Sequence, residues 1–76
     1  MELDTIELLK LFDSNILEID ISNKNIKGKL NLLKFNNLIK LKCQNNKITC
    51  IYNIPNSLEY LDCSNNLIKL IKVTNH

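Results

Sequence analysis

Arginine, alanine and tryptophan are absent from this chain of 76 residues, and glycine, proline and histidine occur once each. Without arginine the chain has no bidentate reader of phosphate or guanine. Its ten basic residues are therefore lysines, set against eight acids, and a net charge of +2 leaves no electrostatic footprint for nucleic acid. The lone histidine is the terminal His76, too far out on the chain to orient a buried thiol, so a catalytic triad is lacking and no enzyme is expected. Long apolar runs are missing too. Glu2, Asp4 and Glu7 lead the N-terminus and Lys10 breaks its apolar stretch, a pattern unlike a secretory signal. No uncharged run reaches the roughly 18 residues that a membrane span needs. The expectation is an intracellular chain without a membrane segment. Three cysteines, an odd number without a secretory context, are expected as reduced thiols.

What is present repeats. The stretch Leu38-Ile39-Lys40-Leu41-Lys42-Cys43-Gln44-Asn45-Asn46-Lys47-Ile48 lies over Leu58-Glu59-Tyr60-Leu61-Asp62-Cys63-Ser64-Asn65-Asn66-Leu67-Ile68 at an offset of 20 residues. Both read L-x-x-L-x-C-x-N-N-x-I. A third copy, Ile16-Leu17-Glu18-Ile19-Asp20-Ile21-Ser22-Asn23-Lys24-Asn25-Ile26, precedes the first by 22 residues. Inside each copy apolar and polar residues alternate, the period of a strand. Ile19 and Ile21, Leu41 and Cys43, and Leu61 and Cys63 are thereby predicted to point inward.

In period and consensus the chain resembles the leucine-rich-repeat family, from about residue 16 to 71. The resemblance implies short parallel β-strands stacked in a right-handed superhelical solenoid, with repeats starting near 16, 38 and 58. A turn of 20 residues has no room for a strand and a long helix, so the return segments are expected to be extended or tightly turned. Ile48, Ile51 and Ile54 recur every third residue there, Pro55 marks a corner, and Gly28 marks a turn in the longer repeat. The resemblance also assigns Asn46 and Asn66, at the ninth motif position, an inward amide that serves backbone groups freed where the strand bends. Lys24 departs from this pattern, because a lysine cannot replace an inward amide without burying a charge. The first turn is therefore expected to be irregular or to use Asn23 or Asn25.

Residues 1–15 do not match the repeat and are predicted as an N-terminal cap, with residues 16–76 forming the solenoid. Asp4-Thr5-Ile6-Glu7 has capping-box spacing, and a short helix over about 4–12 is expected to turn Ile6, Leu9 and Phe12 toward the stack. At the far end Ile68 and Ile71 keep the pattern and then the sequence stops. Either a longer array or pairing with another chain would complete that end.

The cysteines are the first candidates for chemistry. Cys43 and Cys63 share a motif position, so they read as small apolar fillers of the core. The C-x6-C and C-x12-C spacings lack the close pairs of zinc sites, and neither metal nor cofactor is expected. The outward positions are more informative. Glu18, Lys40 and Tyr60 form one row, Asp20, Lys42 and Asp62 the next, then Ser22, Gln44 and Ser64, then Asn23, Asn45 and Asn65. Alternating charge along the second row suits a self-neutralised solvated face, where exposed pairs are worth roughly 0–1 kcal/mol. On the residues alone that solvated reading comes first, and a polar recognition patch anchored by Tyr60 comes second. The resemblance favours the second use: a non-catalytic protein–protein interaction module whose concave face binds a protein partner through Glu18, Asp20, Lys40, Lys42, Gln44, Tyr60, Asp62 and Ser64. The alternative is a structural repeat unit that dimerises or extends through its open C-terminal edge.

Overall fold

The computed structural model describes residues 2–73. In chain order its elements are β1 (Leu3–Asp4), α1 (Thr5–Leu9), β2 (Glu18–Asp20), β3 (Ile26–Asn31), β4 (Lys40–Lys42), β5 (Lys47–Ile54), β6 (Tyr60–Asp62) and β7 (Leu70–Val73). The motif copies supply the short strands β2, β4 and β6, which pair side by side in one parallel sheet. Register sets Ile19 beside Leu41 and Leu41 beside Leu61. The intervening segments build a second parallel sheet in the order β1-β3-β5-β7. Together the sheets make a β-solenoid of about four turns with little helix.

The return side is extended, one of the two forms expected, and its segments also pair into a sheet of their own, which was not expected. Its three-residue rhythm has a structural cause. Ile48, Ile51 and Ile54 of β5 are buried, with two less buried residues between each pair. Pairing slips past Thr49 between Gly28 and Lys29 on one side, and past Asn53 on the other. Each slip inserts one unpaired residue, which converts the strand period of two into an apparent period of three. Gly28 and Asn53 both adopt positive φ, +106° and +56°. The 22-residue turn accommodates its extra length at the following corner. There two consecutive turns, Leu32 to Phe35 and Phe35 to Leu38, replace the single turn from Pro55 to Leu58. Phe35 fills that corner and is fully buried.

The core runs between the two sheets. Ile19, Ile21, Leu41 and Cys43 from the short strands meet Ile26, Leu30, Ile48 and Ile51 from the return strands, all buried. Leu61 and Cys63 are only half-buried against this core. Each Leu or Ile so enclosed stabilises the stack by about 1.5–3 kcal/mol relative to exposure.

Residues ahead of the repeats differ from expectation in two respects. Leu3 and Asp4 pair with Ile26 and Lys27, so this segment adds a strand to the return sheet. The helix is one short turn, Thr5–Leu9, rather than 4–12. Asp4 caps it by accepting from the Ile6 amide at 2.7 Å. Thr5 and Leu9 form its buried side, one helical turn apart, while Ile6 is 66% exposed. The Thr5 hydroxyl donates to the Lys29 carbonyl at 2.6 Å, which pins that side to β3.

Candidate functional site

The outward face of β2, β4 and β6 gathers the charged and polar residues singled out from the sequence. Parallel register sets Glu18 beside Lys40 and Lys40 beside Tyr60, and likewise Asp20 beside Lys42 and Lys42 beside Asp62. In the first row Lys40 Nζ stands 4.0 Å from Glu18 Oε1 and 5.2 Å from the centroid of the Tyr60 ring. The ammonium therefore bridges a carboxylate and an aromatic face, and Tyr60 remains 48% exposed. A cation over an exposed ring contributes about 0.5–1 kcal/mol, enough to bias the orientation of both side chains without locking them.

The second row behaves differently from an ion-pair ladder. Asp20 Oδ1 accepts from the Ser22 amide at 3.0 Å and the Ser22 hydroxyl at 2.6 Å. Asp62 repeats this with Ser64 at 3.1 and 2.7 Å. These contacts to serine hydroxyls, then to serine amides, hold both carboxyls below the ordinary aspartate range, and Lys42 adds a weaker charge effect. Among the described residues neither carboxylate makes a direct ion pair with Lys42. The D-x-S spacing, present in the first and third copies, was the available signal for these closed turns. Gln44 takes the corresponding place in the middle copy. Its Oε1 is buried and has no hydrogen-bond partner among the described residues. An amide oxygen in that state carries a cost of about 1–3 kcal/mol.

Beneath this face the inward asparagines complete the bend between sheets. Asn46 Oδ1 accepts from the Lys24 and Ile26 amides, each at 3.0 Å. Its Nδ2 donates to the carbonyls of Ile21, Cys43 and Gln44 at 2.9–3.2 Å. Asn66 does the same one turn on, accepting from Ile48 and donating to Cys43, Cys63 and Ser64. Lys24 itself stays exposed, and its coil is served across the stack by Asn46. The preceding asparagines, placed among outward residues by the sequence, have a backbone role. Asn23, Asn45 and Asn65 all take positive φ, between 54° and 62°, a region that asparagine enters more readily than other side chains with a Cβ. Asn65 also donates to Asn45 Oδ1 at 2.8 Å, linking successive turns.

Cys43, Cys50 and Cys63 are free thiols. Burial, with lesser effects of Cys63 and Asp62, pushes Cys43 up to about 12, so it is a protonated core filler and no nucleophile at neutral pH. No cluster of three His, Cys, Asp or Glu fit for a metal occurs among the described residues. His76 lies outside them. No helix among the described residues is long and apolar enough to cross a membrane. On the return-sheet side a groove of about 780 Å³, bordered by Leu9, Lys29, Leu33, Phe35 and Tyr52, lies between α1 and β3. It had no signature in the sequence, because its walls come from three separate segments. The chain matches no family model, and no curated protein or solved structure is significantly similar to it.

Proposed function

We propose that this chain is a non-catalytic recognition module of leucine-rich-repeat type that binds a protein through the outer face of β2, β4 and β6. The observation that carries the reading is the mixed order of that face. Lys40 is poised between Glu18 and Tyr60, and Tyr60 stays 48% exposed. Such a surface offers an aromatic anchor, donors and acceptors on rigid strands, which is the composition of a recognition patch more than of a nucleophilic site. The leucine-rich-repeat assignment is supported by the coincidence of the L-x-x-L-x-C-x-N-N-x-I copies with the strands and by the inward amides of Asn46 and Asn66. Both charge signs lie on the face, so a partner with a mixed polar surface fits it best.

The test is affinity capture with the wild-type chain beside a variant in which Lys40, Lys42 and Tyr60 are replaced by Ala, followed by direct titration of whatever is retained. Loss of a titratable partner in the variant, with its circular dichroism unchanged, is the expected result. A partner bound equally by both proteins would place recognition elsewhere.

A further inference from the structure

Equivalent positions in successive turns become exposed in one direction only. Leu41 and Ile48 are fully buried, while Leu61 and Ile68, one turn later, are only half-buried. Ile51 is buried but its neighbour Ile71 is 48% exposed, and Ile54 is buried but Val73 is 65% exposed. The interior itself, rather than a stray surface side chain, is open at the β6–β7 end. We propose that this end pairs with the same end of a second copy of the chain about a two-fold axis, each sheet continuing across the junction as an antiparallel edge pair.

Three observations choose that occupant. The open core residues Ile71 and Val73 and their rim at Leu67 and Leu70 are all about half exposed or more, and contiguous exposed apolar surface marks an interaction site. Among the described residues β6 and β7 are the edge strands of the two sheets there, and an open edge is a template for another strand. At the opposite end Ile19, Ile21 and Ile26 are already buried, with Leu8, Phe12 and Ile16 packed against the core. Only the β6–β7 end has an open core, so two such ends enclose each other's core where a head-to-tail contact would enclose one, and a closed two-fold dimer is favoured over a filament.

Charge supports the same choice. Inward residues must face inward residues across an antiparallel pair. Centring β7 on Ile71 sets Leu70 opposite Lys72 of the second copy, and centring β6 on Leu61 sets Tyr60 opposite Asp62. Neither register brings like charges together. A register centred on Lys72 would oppose two lysines, which is unfavourable. This pairing is independent of what the outer face binds.

Sedimentation of the whole chain from micromolar to near-millimolar concentration tests the proposal. A monomer–dimer equilibrium with no larger species is expected. Ile71→Lys should weaken it by about tenfold or more, while Lys72→Glu should leave it within about threefold. Should Ile71→Lys fail to fold, hydrogen exchange of the wild type decides: the β6 and β7 amides should gain protection as concentration rises, and those of β2 should not. A monomer at every concentration, assembly that grows past two copies, a dimer tightened by Lys72→Glu, or protection arising at β1 and β2 would each overturn it.

Discussion

At the scale of single residues the paired asparagines carry most of the order, and the two members of each pair do different work. The second, Asn46 or Asn66, is a side-chain amide that replaces missing backbone partners. The first, Asn45 or Asn65, is a backbone conformation that few residues tolerate. Only the inward role was legible in the sequence. Two adjacent asparagines look alike as letters, and φ is not written in the composition. Replacing Asn66 by Ala should cost about 1–3 kcal/mol. Asn46→Ala should cost more, because Asn46 is buried and satisfies two amides and three carbonyls. Urea denaturation of the two variants checks the order, and an equal or inverted ranking would refute the roles assigned to these inward amides. The aspartates of the outer face make a second residue-scale prediction. Asp20 and Asp62 titrate below the ordinary value of 3.8, chiefly through the serine hydroxyls. A carboxyl whose folded value is depressed stabilises the fold above its unfolded value and loses that contribution as pH falls through the folded one. Their contribution should therefore be flat above about pH 4 and decline only below it. Ser64→Ala should move Asp62 back up toward 3.8, measurable by NMR titration of its side-chain carboxyl. An unmoved Asp62 would mean that the Ser64 amide or Lys42, and not the Ser64 hydroxyl, sets its acidity.

At the scale of elements, what could be read depended on whether a strand kept its period. The alternation in Glu18-Ile19-Asp20 and Lys40-Leu41-Lys42 survives into β2 and β4, where only the middle residue is buried, and Tyr60-Leu61-Asp62 keeps its register in β6 with Leu61 half-buried. A period of two does not survive in β5, because its slips at Thr49 and Asn53 space the inward isoleucines three apart and hide the strand. The N-terminal helix was overextended for a related reason. Ile6, Leu8, Leu9 and Phe12 suit a helical stripe, yet the buried side is set by Thr5 and its bond to Lys29, a contact between distant segments that no local pattern reveals. Asn53 tests the bulge directly. Its φ of +56° costs a β-branched residue about 1–2 kcal/mol or more, and its amide also donates to Asn31 Oδ1 at 3.0 Å. Asn53→Val should lower the denaturation midpoint accordingly, whereas Asn53→Gly should lose only the Asn31 bond. If Asn53→Val proves harmless, the bulge is not what sets the three-residue spacing.

At the scale of the whole molecule, stability is distributed along the stack in proportion to the cover each turn receives. A repeat protein draws on contacts between neighbouring turns, so an end turn with one neighbour holds its core less tightly than a middle turn with two. Leu41 and Leu61 occupy the same motif position on adjacent strands, but only Leu41 is fully buried. Leu41→Ala should therefore cost about 2–5 kcal/mol, and Leu61→Ala distinctly less when both are unfolded as dilute monomers. Pairing of two open ends would add the missing neighbour and remove the difference. Because anything that binds only the folded state stabilises it by mass action, the wild type should then melt at a higher temperature as protein concentration rises. The cost of Leu61→Ala should grow toward that of Leu41→Ala over the same range, while Leu41→Ala itself stays constant. Thermal melts of the three proteins at low and high concentration separate the two cases: a Leu61→Ala penalty that matches Leu41→Ala already in the dilute chain would show the last turn to be enclosed without a second copy, and a penalty that never grows would leave it open at every concentration.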